Sequence, residues 1–217
     1  MNKNVKKLVL LAMFSAVAYL LVALIRIPLV PAVPFLHYEP KDVILVIAGF
    51  LMGPIASLII AALVALLEMV TISSTGPIGC LMNFLSSAAF ACTAAIIYKR
   101  TRTATGAAFG LSVGSVATAI LMLLWNWLIT PLYMGVSRDV VVQLLFPAFL
   151  PFNLLKGGFN SALALGLYKP LVTALRRSHL IDQREGQPTK SKYGIYILAG
   201  SLLLTCTVLV LLLQSNL

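Results

Sequence analysis

The chain is 217 residues long, 60% hydrophobic and 10% charged, with sixteen Lys and Arg against six Asp and Glu and a formal net charge of +10. Its mean hydropathy is +1.01. A soluble globule of this composition would precipitate. The basic excess does not point to nucleic acid either, because most of it falls in short segments between apolar runs, so the chain reads as a polytopic all-α integral membrane protein.

The N-terminal stretch resembles a signal peptide only at first. Its apolar run of about 18 residues exceeds a signal core and no A-x-A site precedes the next polar loop, so it reads as a retained first span, Leu8 to Ile27. A short second run covers Val43 to Met52, and a third covers Ile55 to Ile72. Gly53-Pro54 separates them, and Pro54 suits the first turn of a new helix, which predicts two helices joined by a tight turn. The fourth span covers Ile78 to Tyr98 and the fifth Gly106 to Ile129. The sixth covers Phe146 to Leu175, with Pro147 and Pro151 breaking its early part. A seventh run, Tyr193 to Leu213, follows a polar linker and is about long enough to span. The expected organisation is a six-helix membrane domain over residues 1–177, a cytoplasmic linker over 178–192 and an additional C-terminal transmembrane segment over 193–217.

Orientation follows from the basic residues. With the N-terminus in the cytoplasm, that side receives Lys3, Lys6, Lys7, Lys99, Arg100, Arg102, Lys169, Arg176, Arg177, Arg184, Lys190 and Lys192. Only Arg26, Lys41, Arg138 and Lys156 remain for the other side or the membrane. The C-terminus is then external if all seven runs span. Cys80, Cys92 and Cys206 stand alone in apolar runs and read as packing residues.

Four of the six acids, Glu39, Asp42, Glu68 and Asp139, fall on the outward side or inside a span. Glu68 is the sharpest, since an unpaired carboxylate in an apolar run is costly. The segment after it, Thr71 to Gly79, is dense in hydroxyls, Thr75 among them, and Gly76-Pro77 opens the next helix. We read these groups as one polar pocket rather than a capped loop beside a snorkelling Glu. A second cluster is Asn153, Lys156 and Asn160, which share one helix face and offer an ammonium and two amides. Gly157 and Gly158 beside it permit close approach of another helix or a ligand. Asn83 and Asn126 add amides in the fourth and fifth helices. Trp125 and Trp127 serve equally as interfacial anchors or ligand contacts. The loop from Arg26 to Asp42 is rich in Pro yet carries Leu29, Val30, Val33, Phe35, Leu36 and Tyr38. It either packs on the helix ends or covers an apolar ligand. His37 reads as a wet loop residue, since one His without a second makes no metal site.

No P-loop, H-E-x-x-H or G-x-S-x-G pattern occurs, so the chain carries no ATPase of its own. It also lacks the paired halves of many secondary transporters. A membrane enzyme using Glu68 as acid or base, with Lys156 as electrostatic partner, is a rival reading, but no nucleophile or metal set accompanies them.

The stretches FLHYEPKDVILVIAGFLMGP, EMVTISSTGPIGCLMNFLSS and LPFNLLKGGFN, the last followed by LYKPL, resemble the riboflavin-specific substrate-binding (S) components of energy-coupling factor (ECF) transporters. The resemblance covers about residues 5 to 175. It implies a six-helix bundle that captures riboflavin from outside and works with a transmembrane coupling (T) component and two cytoplasmic ATPases, all separate chains. It implies no cofactor, riboflavin being the transported ligand, and no chemistry on the ligand. First helices of this family carry an A-x-x-x-A seam that docks the coupling protein, and here Ala12 and Ala16 have that spacing. The expected ligand contacts are Tyr38, Glu68, Thr71, Thr75, Asn83, Asn126, Asn153, Lys156 and Asn160. Another vitamin, or flavin mononucleotide, stays open as the ligand. The seventh run departs from the six-helix pattern. Nothing in it is polar enough to bind a ligand, so the pocket is expected not to need it.

Overall fold

A computed structural model describes residues 3–29, 33, 36–73, 75–178, 180 and 194–215. Residues 30–32, 34 and 35 of the expected lid, almost all of the linker over 178–192 and the two C-terminal residues lie outside them. Five segments are long and apolar enough to cross a membrane. They belong to α1 (Lys3–Leu24), α3 (Pro54–Thr71), α4 (Gly76–Thr101), α5 (Ala104–Met134) and a 40-residue helical stretch from Arg138 to Arg177.

The second element differs from a full crossing. α2 (Lys41–Met52) has 12 residues, and residues 41–49 are all buried. At 1.5 Å per residue it covers about 18 Å, short of the roughly 30 Å hydrocarbon core, so it lies inside the bundle. The turn expected at Gly53 is present. Gly53 has φ 94° and its N–H donates to Gly49 O at 2.8 Å, after which Pro54 opens α3. A side chain rarely adopts that φ, so glycine fits the turn.

Two of the expected boundaries shift. α5 continues past Ile129 through Pro131 and stops at Gly135, which is left-handed with φ 65°. The prolines of the sixth span do not end its helix. α6 (Arg138–Leu144) passes through a π-helical turn, Leu145–Phe149, into α7 (Leu150–Arg177). Pro147 and Pro151 lack an N–H and cannot continue the ordinary ladder; the wider turn, with Leu150 N–H on Leu145 O, accommodates them.

Two short strands, β1 (Ile27–Pro28) and β2 (His37–Tyr38), pair antiparallel with Ile27 opposite Tyr38. This ribbon folds the Arg26–Asp42 segment back over the bundle. Among its described residues, Leu29, Val33, Leu36 and Tyr38 are buried in an outer cluster with Val141, Ala148, Phe149, Phe152 and Leu155. A larger inner cluster joins α1, α2, α3, α4, α5 and α7 through residues such as Phe14, Leu45, Ile47, Ile60, Phe90 and Leu111. Below it, Tyr98 and Tyr168 share a hydroxyl contact at 3.0 Å and pack with Phe50.

α8 (Gly194–Ser215) packs along α7, and its Cys206 joins the outer cluster.

Candidate binding site

The tetrapeptide Glu39-Pro40-Lys41-Asp42 carries three charges into the start of α2, all almost fully buried. Pro40 precedes the first turn, and Asp42 lies within that turn, where free backbone N–H groups favour an anion. Glu39 reaches two cations, Arg26 Nε at 3.1 Å and Lys41 Nζ at 3.0 Å. Lys41 also pairs with Glu68 of α3. The second oxygen of Glu68 accepts from Asn83 Nδ2 of α4 at 2.8 Å. Asp42 accepts from Ser87 Oγ at 2.5 Å and from Asn160 Nδ2 at 3.3 Å, and it faces Lys156 Nζ at 3.5 Å. Tyr38 donates to Asn160 Oδ1 at 3.1 Å. Two adjoining sets of contacts, one through Glu39, Lys41, Glu68 and Asn83 and one through Asp42, Ser87, Asn160, Tyr38 and Lys156, make a polar network that ties the ribbon to α2, α3, α4 and α7. Burial raises the pKa of Glu39, but Lys41, Lys156 and Arg26 together outweigh it and hold that carboxyl below the usual range.

A cavity of about 520 Å³ opens against this network. Its polar lining includes Arg26, Glu39, Ser73, Thr75, Asn83, Ser86, Asn126, Asn153 and Lys156, and its apolar lining includes Leu36, Met82, Met122, Tyr133, Met134 and Phe152. Aromatic and thioether walls with a few placed amides suit a planar ligand carrying a polar edge.

The expected contacts divide into groups. Thr75, Asn83, Asn126, Asn153 and Lys156 line the cavity. Tyr38, Glu68 and Asn160 sit behind it in the network. Thr71 is exposed; it accepts from Tyr19 OH at 3.0 Å and donates to Leu67 O at 2.6 Å. Asn126 spends its amide along its own helix, donating to Met122 O and accepting from Thr130 Oγ1, each at 2.7 Å. Asn153 donates to Phe149 O at 2.8 Å within the π turn, which leaves its Oδ1 as an acceptor at the wall. Lys156 has three donors, and Asp42 occupies one direction.

Sequence reasoning passed over Lys41 and Asp42 as site residues, and over the cavity lining from Arg26, His37, Glu39 and Ser86. The available signal was the clustering of three charges in Glu39-Pro40-Lys41-Asp42 within an otherwise apolar chain. Glu68 and Lys156 are each neutralised by a different partner, so they do not form an acid–cation pair. Arg26, Lys41 and Lys156 are engaged by carboxylates, and Arg138 lies over the Trp127 ring at 5.1 Å. Ala12 and Ala16 are exposed on α1, beside exposed Leu8, Val9 and Leu20. Among the described residues no three His, Cys, Asp or Glu groups could hold a metal ion.

A helical multi-pass membrane protein whose buried polar groups gather around a cavity of about 520 Å³ is a membrane-embedded carrier of a small molecule, without energising machinery among its described parts. The model of the ECF transporter substrate-specific component family matches residues 6–168, and the chain belongs to that family. It is a transport component and not an enzyme. The riboflavin transporter RibU of Staphylococcus aureus (strain TCH60) is 31% identical over 183 residues, covering 82% of this chain and 95% of that protein. The riboflavin transporter FmnP of Bacillus subtilis (strain 168) is 30% identical over 190 residues, covering 82% and 99%. A solved S component of a bacterial ECF transporter superposes with a TM-score of 0.69 at 30% identity, covering 81% of this chain and all of that one.

Proposed function

We propose that this chain captures riboflavin from outside the cell in the cavity between the ribbon and α4, α5 and α7. The cavity carries the reading: its Met, Tyr and Phe walls suit the isoalloxazine, and its amides and Lys156 suit the imide edge and ribityl hydroxyls. The naming of similar proteins as riboflavin transporters supports it. The contacts we assign are Thr75, Asn83, Asn126, Asn153 and Lys156 at the wall, with Tyr38, Glu68 and Asn160 holding them from behind. Thr71, an exposed outer residue, is left out of the set.

Riboflavin is favoured over flavin mononucleotide. Arg26 and Lys156, the cations at the cavity, already face Glu39 and Asp42, so a phosphate dianion would have to displace a carboxylate. Energy for uptake comes from a separate coupling protein and two cytoplasmic ATPases, and exposed Ala12 and Ala16 form the docking seam. The N-terminus is cytoplasmic, from the distribution of Lys and Arg, and the C-terminus is external provided that the short α2 still returns the chain to the cytoplasmic side and α8 crosses. An absorption spectrum of the purified protein tests the assignment. A bound isoalloxazine band is expected, and a colourless protein that fails to quench added riboflavin fluorescence would overturn it.

A further inference from the structure

α8 lies beyond the family match, which ends at residue 168. It does not stand apart in lipid. A methyl group placed on Gly158 of α7 would come within 2.6 Å of Cys206 Sγ. Cys206 is buried with Tyr38, Phe149, Phe152 and Leu155, and Phe159 and Val210 pack on the same cluster. The Tyr38 ring lies 5.4 Å from that of Phe159. From Tyr38 the hydrogen bonds run to Asn160, then to Asp42, which faces Lys156 at the cavity wall.

We propose that α8 is a positioning element of the binding site. It backs Tyr38 and the 152–160 stretch of α7, and through Asn160 and Asp42 it fixes Lys156 against the cavity. In lipid there is no hydrophobic drive to bring α8 to α7, so the contact rests on close packing at small residues, here Gly158 against Cys206. Fluid acyl chains in its place would leave the same apolar surface covered but not held in one arrangement.

The inference rests on riboflavin being the ligand, and the experiment separates the two. Riboflavin association and dissociation are followed by stopped-flow fluorescence, with melting temperature alongside, for the full chain, a chain ending at Ser178, and Gly158→Leu in both. In the full chain Gly158→Leu should raise the dissociation rate about tenfold, the change that about 1.4 kcal/mol makes, with little change in association. The shortened chain should show the same rise, and adding Gly158→Leu to it should do nothing further. Gly158→Ala should have a milder effect that Cys206→Ala reverses. Equal dissociation from full and shortened chains, or a Gly158→Leu defect that persists without α8, would overturn the proposal. A full chain that binds no riboflavin would sink the flavin reading alone. Hydrogen exchange across residues 152–160 then decides α8: faster exchange on shortening supports it, and unchanged exchange overturns it.

Discussion

Lys41 and Glu68, 27 positions apart, meet as a buried ion pair between the first turn of α2 and the last turn of α3. Lys41 also serves Glu39, so its removal takes the ammonium from two buried carboxylates and leaves Glu68 with only the Asn83 amide. Lys41→Met is expected to destabilise the protein by about 3–5 kcal/mol, the usual cost of breaking a buried pair. Combining it with Glu68→Leu should recover part of that loss. Melting of the detergent-purified variants is the measurement, and a Lys41→Met protein as stable as the parent would show that the pair carries no structural weight.

Asn153→Ala and Lys156→Ala should both weaken riboflavin binding, by roughly ten- to a hundredfold for a lost buried partner worth about 1–3 kcal/mol. Their stabilities should differ. Lys156→Ala leaves Asp42 without its facing cation, whereas Asn153→Ala removes only a bond to Phe149 O in its own helix. Fluorescence titration and melting on the same samples resolve the two effects. Unchanged affinity in both variants would remove this face of α7 from the site.

Ala12→Trp, or Ala12→Leu with Ala16→Leu, should leave riboflavin affinity intact and abolish uptake. Both positions are exposed on α1 and neither lines the cavity, so added bulk obstructs only what docks there. Binding in detergent and uptake into vesicles carrying the partner ATPases are compared. Normal uptake by both variants would place the docking surface elsewhere.

Acid should unfold the protein partly through Glu39. Its folded pKa is depressed, because three cations outweigh its burial. It therefore contributes stability that is fully present above the unfolded value, about 4.3, and is lost as pH falls through the lower folded value. Glu39→Gln should flatten the acid limb of a melting-temperature profile while lowering stability at neutral pH. An unaltered acid limb would show that other carboxylates govern it.

Much of the fold was legible in the chain. The apolar runs, the Gly53-Pro54 turn and the Gly76-Pro77 helix start follow from hydropathy and from two residues with narrow backbone preferences. The polar face of α7 was legible because Asn153, Lys156 and Asn160 have helical spacing. The sorting of that face was not: Lys156 and Asn153 reach the cavity while Asn160 turns to Asp42 and Tyr38, which depends on tertiary contacts more than 100 positions away. Lys41 was hidden for the same reason. A lysine at the edge of an apolar run reads as a snorkelling charge until Glu39 and Glu68 are brought to it. The continuity of α6 into α7 was missed because proline ends an ordinary helix, and only a π turn absorbs it. The contact of α8 with Gly158 left no trace in the polarity of that run, since small residues pack without a charge pattern to announce them.

The ion pairs set Arg26, Lys41 and Lys156 against Glu39, Asp42 and Glu68, three positive groups facing three negative ones. Passing a proton from Lys41 to Glu68 would leave that sum at zero. A membrane potential acts with about 2.3 kcal/mol per elementary charge per 100 mV, but only on net charge that moves. An uncharged vitamin in an electrically balanced enclosure gives it nothing to pull on. Loading the site is then voltage-silent. Capture at the site then proceeds alike at a polarised and at a depolarised membrane.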